Sequence, residues 1–129
     1  MDDTSPFDDD DDLAAVDDSF VPVYTVTNPP GSVAVSAYMD GRVQDVALSP
    51  RAASLTESAL AEEIVVIAGL ATQDARAAQY AFMLEGMNKQ GHDSVAMRDF
   101  LERDLQLPSP ERATAARAAV FAERYSGEE

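Results

Sequence analysis

Between Ser32 and Leu48 the chain reads Ser-Val-Ala-Val-Ser-Ala-Tyr-Met, then Asp40-Gly41, then Arg-Val-Gln-Asp-Val-Ala-Leu. Asp-Gly between two β-like runs is the composition of a two-residue hairpin turn, because both central residues of that turn take positive φ. No other stretch restricts the fold as tightly, since the turn also sets the register. Met39 is predicted to face Arg42, Tyr38 to face Val43, Val35 to face Val46 and Val33 to face Leu48. One face then carries Val33, Val35, Ala37, Val46 and Leu48; the other carries Tyr38 and Val43 beside Ser36 and Asp45. The first is the core face, because a slip by one residue would bury Ser36 and Asp45 instead.

The flanking segments supply the rest of a small domain. Phe20 to Thr27 is rich in β-branched and aromatic residues and reads as a strand. Pro22 suits its start or a sheet edge, and Asn28-Pro29-Pro30-Gly31 turns the chain. Ser49-Pro50 ends the sheet. Ser54-Leu-Thr-Glu57 then has a capping-box pattern, with Thr56 as an alternative cap. Leu60, Ile64, Ile67 and Ala71, continued by Ala75, Ala78 and Phe82, recur at helical spacing, while Glu62, Glu63, Gln73 and Arg76 lie mostly off that stripe. Gly69 costs about 1 kcal/mol against Ala in mid-helix, so a close approach to the sheet or to another helix is expected there. The helix is expected to end between Gly86 and Gly91. Asp93 caps a second helix with Met97, Phe100, Leu101 and Leu105 on one face, closed by Leu107-Pro108. Ser109-Pro110-Glu111 starts a third, with Ser at the cap and Pro at the first helical position. That helix is alanine-rich, carries Val120 and Phe121, and ends at Ser126-Gly127. The expected class is α+β: a three-stranded antiparallel sheet, a long helix and two shorter C-terminal helices, in one domain over residues 19–126.

Charge divides the chain. The net charge is −15, and residues 1–18 hold nine Asp with no Lys or Arg, leaving −6 for residues 19–129. Asp repels Asp, and the stretch offers little to bury beyond Phe7 and Leu13 to Val16, so a disordered acidic tail is expected. An acidic chain with nine scattered basic residues cannot supply the cations that displace counterions from nucleic acid, and anionic lipid is disfavoured for the same reason. The acidic start is the reverse of a secretory leader's basic one. The longest apolar run, Ile64 to Ala71, is far short of the roughly 18 residues of a membrane span, so no membrane insertion is expected.

Groups able to do chemistry are sparse. There is no Cys, which excludes disulfides and thiolate chemistry and fits a reducing cytosol. His92, the only histidine, sits between Gly91 and Asp93 in an expected loop. The run Asp8 to Asp12 lacks the ligand spacing of a calcium loop, adjacent Glu62 and Glu63 do not face one another on a helix, and no phosphate loop or nucleophile elbow is present. No enzyme, cofactor or metal is expected. What remains is a surplus of apolar and aromatic side chains for one small core. Tyr24, Tyr38, Val43, Phe121 and Tyr125 are the candidate partner-binding residues, with Tyr80 beside them.

Thr25-Val-Thr-Asn-Pro-Pro-Gly-Ser-Val-Ala-Val-Ser36, Met39-Asp-Gly-Arg42, Leu60-Ala-Glu-Glu-Ile-Val-Val-Ile-Ala68, Gln79-Tyr-Ala-Phe82 and Leu107-Pro-Ser-Pro-Glu111, in that order, resemble the mycobacterial Esp family, in its EspH- and EspD-like members, which accompanies the ESX type VII secretion system. The resemblance spans about residues 24–125. It implies an accessory factor in type VII secretion: a cytosolic chaperone or adaptor that binds secreted Esp substrate proteins, or a protein that is itself exported. Tyr125-Ser-Gly-Glu-Glu129 fits the Tyr-x-x-x-Asp/Glu form of the type VII export signal, without the preceding Trp-x-Gly hairpin. The hairpin followed by a long helix is also similar, more distantly, to the YbaB-like fold, whose members dimerise. That likeness implies a possible homodimer, but DNA binding does not carry over, because the basic surface is missing and a strand stands where that fold begins with a helix. A gel shift of a DNA duplex at low salt, where electrostatic binding is strongest, is expected to show no complex.

Overall fold

The computed structural model describes residues 21–125; the expected acidic tail and the close of the last helix at Ser126-Gly127 lie outside the described residues. Strands β1 (Val23–Thr27), β2 (Val33–Tyr38) and β3 (Val43–Leu48) form an antiparallel sheet in that order. A 3₁₀ turn (Pro50–Ser54) leads to the 33-residue helix α1 (Glu57–Lys89). Helix α2 (Ser94–Asp99) runs directly into a π-helical turn (Phe100–Asp104), and α3 (Pro110–Tyr125) follows. The helix starts are built as the caps demand. Thr56, rather than Ser54, caps α1 by accepting from the Ala59 N–H at 3.1 Å. Asp93 accepts from Ala96 at 3.0 Å, and Ser109 accepts from Arg112 at 3.2 Å.

The hairpin departs from the expected two-residue turn. The Tyr38 N–H donates to Arg42 O at 2.8 Å and the Gly41 N–H to Tyr38 O at 2.8 Å. The loop is therefore Met39-Asp40-Gly41, with Gly41 alone at positive φ (+97°), which is the three-residue class. Asp40 keeps a negative φ and uses its carboxylate locally, accepting from the Arg42 N–H at 3.0 Å and from Nε at 2.7 Å. Those bonds hold the Asp40 carboxyl below the usual range, the backbone N–H first and the guanidinium second. Tyr38 and Val43 are consequently not cross-strand partners. Val43 faces Ala37, and a bulge at Gln44 restores the expected pairs Ser36–Asp45, Val35–Val46 and Val33–Leu48.

Two apolar clusters hang on α1. Its first half buries Ile67, Leu70, Ala71 and Ala75 against Val26, Val33, Val35 and Ala37 of the sheet. Its second half places Tyr80 against Leu101 and Leu107, with Met83, Leu84, Met87 and Phe100 around them. The helix lies over β1 and β2 and only brushes β3. Val46 and Leu48, expected in the core, share the inward face with Val35 and Val33 yet are 40% and 49% exposed. Among the described residues, α1 covers that side of the edge strand only in part.

Gly69 also departs from expectation. A Cβ there would meet nothing within 4 Å, so no close approach explains it. Gly69→Ala is expected to stabilise the fold by about 1 kcal/mol through helix propensity. Gly41→Ala should instead cost roughly 1–2 kcal/mol through its positive φ, with its Cβ pressed to 3.3 Å from Thr72 Cγ2. Urea denaturation of the two variants checks the opposite signs.

Candidate partner-binding surface

Cross-strand partners share a face, so the outward side of the sheet carries Val23, Thr25 and Thr27, then Tyr38, Ser36 and Ala34, then Asp45 and Ala47. It is mixed in character: Thr25 and Ser36 join hydroxyls at 2.6 Å, and Val23 is 41% exposed. Tyr38 is its one aromatic, half-buried, with the Arg42 guanidinium 5.0 Å from its ring centroid, a cation–π contact. Tyr24 lies on the opposite, inward face, opposite Ala37 and packed on the main cluster.

The exposed apolar row is elsewhere. Val43, Val46 and Leu48 stand 48%, 40% and 49% exposed, all on the inward side of β3 because their partners Ala37, Val35 and Val33 point inward. Thr72 and Arg76 of α1 reach toward the hairpin, Thr72 donating to Gly41 O at 3.0 Å. Asp74 and Glu63, which hold α3, lie on the other flank of α1 by helical periodicity. So α3 covers one side of α1, while the β3 side stays open, with Val65 of α1 exposed on that flank.

Phe121 and Tyr125 belong to a different construction. Glu63 is buried, 7% exposed, and three donors converge on it. Asn28 Nδ2 gives 2.7 Å, Arg124 Nη2 gives 2.9 Å, and the Tyr125 hydroxyl completes the set. Asn28 also accepts from the backbone N–H groups of Ser32 (2.9 Å) and Val33 (3.0 Å), so one side chain shapes the β1–β2 turn and anchors Glu63. Tyr125 is 9% exposed and meets Phe121 edge-on at 5.7 Å; Phe121 is half-buried on the main cluster. Of the five candidates, Val43 alone is exposed; Tyr38 is half-buried on the outward face, Tyr24 and Phe121 are half-buried against the core, and Tyr125 is buried. Sequence reasoning did not single out Asn28 and Glu63, nor the exposure of Val46 and Leu48. The available signal was an acid, Glu63, set among the apolar residues of α1 with Arg124-Tyr125 at the far end of the chain.

Burial by itself would raise the Glu63 pKa, but the bonds from Asn28, Tyr125 and Arg124 outweigh it and hold the carboxyl below its usual range. Burial, and then the Glu63 carboxylate, push the Tyr125 phenol up to about 12. A groove of about 700 Å³ opens beside this lock, walled by Pro30, Pro50, Arg51, Leu55 and Arg124 among others. Its acid is committed to three donors and Arg124 to Glu62 and Glu63, so it holds no poised acid–base pair. His92 is exposed beyond the end of α1. No group of three metal-ligating side chains occurs among the described residues.

Glu63→Ala is expected to cost about 2–4 kcal/mol, because it strands Arg124 and the Asn28 amide. Since the Glu63 pKa falls on folding, its contribution is whole above the ordinary glutamate value of 4.5 and is lost as pH falls through the lowered folded value. Tyr125 contributes fully below its ordinary value of 10.0 and loses that contribution as pH rises through about 12. Urea midpoints measured between about pH 6 and pH 3 should therefore fall more steeply for the native chain than for Glu63→Gln; equal slopes would remove Glu63 as the source.

No protein-family model matches the chain, and no solved structure matches it. Curated relatives do. The chain is 51% identical over 107 residues to the ESX-1 secretion-associated protein EspH of Mycobacterium tuberculosis, covering 80% of this chain and 58% of that protein. It is 51% identical over 110 residues to the ESX-1 secretion-associated protein EspD of the same organism, covering 82% of this chain and 60% of that protein. The chain thus spans about three fifths of the length of the curated relatives it matches. Over four fifths of its own length it is a homologue of the ESX-1 secretion-associated proteins EspH and EspD.

Proposed function

We propose that the chain is an accessory factor of type VII secretion: a cytosolic chaperone or adaptor that binds secreted Esp substrate proteins and keeps them soluble. The relatives' names, both ESX-1 secretion-associated, support the pathway. The observation that carries the binding role is the exposed row Val43, Val46 and Leu48 on an edge strand, a patch that a soluble domain ordinarily covers or blunts with charge. The described residues offer no clustered acid, base and nucleophile to favour catalysis over binding, and no helix among them is long and apolar enough to cross a membrane.

Co-expression with candidate Esp substrates is the test. A substrate that co-purifies with the chain, or becomes soluble only in its presence, is the expected result; failure of every candidate on both counts removes the chaperone reading. A second reading, that the chain is itself exported, draws on Tyr125-Ser-Gly-Glu-Glu129. It is set apart by comparing culture filtrate with lysate under a lysis control. Retention in the lysate is expected for a cytosolic adaptor, since the Tyr125 side chain is buried against Glu63.

A further inference from the structure

We propose that β3 is a docking strand, taking an extended segment of a partner as a fourth strand of the sheet. This rests on the adaptor reading above and names the surface and the chemistry that fits it.

Backbone geometry supports it first. In an antiparallel ladder, residues alternate between those whose N–H and C=O meet the neighbouring strand and those whose groups point away. The Ser49 N–H donates to Ser32 O at 3.1 Å, and the Asn28 N–H to Val33 O at 3.0 Å. With the observed register, that places Ala47 and Asp45 in bonded pairs with β2. The N–H and C=O groups of Val46 and Leu48 are then directed out of the sheet, where a fourth strand would lie. Val46 and Leu48, whose backbone groups meet no partner among the described residues, are thus also residues of the exposed apolar row.

The two edges of the sheet differ in cover. On β1 the inward Val26 is buried and Tyr24 is packed on the core, with Phe121 and Val120 of α3 on the same cluster. On β3 the inward row is 40–49% exposed among the described residues, and Val65 of α1 is exposed on the flank of the helix that carries Thr72. A strand laid along β3 would set its own inward residues beside Val46 and Leu48, below that flank of α1. The occupant is therefore an extended segment with apolar residues at alternate positions.

Charge decides between occupants. A second copy would bring another chain of net charge −15 to the same edge, with Asp45 exposed on the outward side of β3 in each. A neutral or basic segment meets no such repulsion, and a Lys or Arg on its outward side would face Asp45.

The probe is a short synthetic peptide alternating Val with Thr and Lys, titrated into the isotopically labelled full chain. Amide exchange at Val46 and Leu48 is expected to slow by about tenfold or more on saturation. Two versions of the peptide, N-methylated on alternate residues in opposite phase, keep the protein unaltered: one is expected to bind and the other not. Val46→Pro removes an N–H that no described residue uses and should abolish the protection, whereas Val46→Ala, which keeps that N–H, should weaken binding only several-fold. Equal binding of the two methylated peptides, no change at Val46 and Leu48 up to millimolar peptide, or a free chain that sediments as a dimer with those amides already protected would each overturn the assignment. The adaptor reading is judged separately. A co-expressed substrate captured equally well by Val46→Pro would leave it standing and remove β3 as its surface.

Discussion

An α-helix is about 10 Å across with its side chains, and neighbouring strands lie about 4.8 Å apart. One helix therefore covers about two strands, and a third needs cover from somewhere else. That constraint organises the whole domain. The helix α1 sits over β1 and β2, and the one other helix long enough to help, α3, is held along its far flank. The edge strand β3 is left with its inward row in contact with solvent. The exposed apolar row of β3 is thus the uncovered remainder of the core, while the outward face of the sheet mixes Thr, Ser and Ala with Val23 and Tyr38.

What keeps α3 on that flank is polar more than apolar. The helix is alanine-rich, and Val120 and Phe121 are the large apolar side chains it sets against the main cluster. Small side chains bury little area and fix an axial position weakly. The bonds of Glu63 to Tyr125 and Arg124, with Asn28 behind them and the Arg117–Asp74 pair further along, fix the position of the helix along α1. A buried carboxylate is costly unless its donors are all in place, so this arrangement tolerates one docking position and penalises a slide by a turn. Arg124 Nε, buried with no partner among the described residues, shows that even here the satisfaction is incomplete.

Local rules read the elements well because the elements are locally determined. Thr56, Asp93 and Ser109 cap helices where their hydroxyl or carboxylate can reach an orphan N–H, and Asp-Gly does turn the chain. The hairpin differed by one residue because Asp40 had two options. It satisfied its carboxylate on Arg42 and left the positive φ to Gly41 alone, and that choice moved Val43 from beside Tyr38 to beside Ala37. Alternation correctly put Val46 and Leu48 on the inward face, but a pattern along one strand carries no information about how far a helix reaches across the sheet. Gly69 misled for a related reason: its cost is a local quantity, while its surroundings are tertiary. The Glu63–Tyr125 bond joins residues 62 positions apart, and nothing in either neighbourhood announces the other. Four of the five surface candidates were aromatic residues chosen as surplus to the core, and three of them, Tyr24, Phe121 and Tyr125, pack into a core whose alanines leave room for them.

The two apolar clusters on α1 set how the domain comes apart. The helix is 33 residues long, about 50 Å, against strands of about 20 Å, so its second half projects beyond the sheet. There it is held by Leu101 and Leu107 around Tyr80, with flexible methionines at the margin. The larger cluster is fastened by β1 and β2, the first half of α1, α3 and the Glu63 bonds. Such a division gives two cooperative units on a shared spine, with the smaller one opening at the lower free energy. On that division α2 and its π-helical turn are expected to open before the sheet and the anchored end of α3, which sets the less anchored region and the exposed edge strand at opposite ends of one helix.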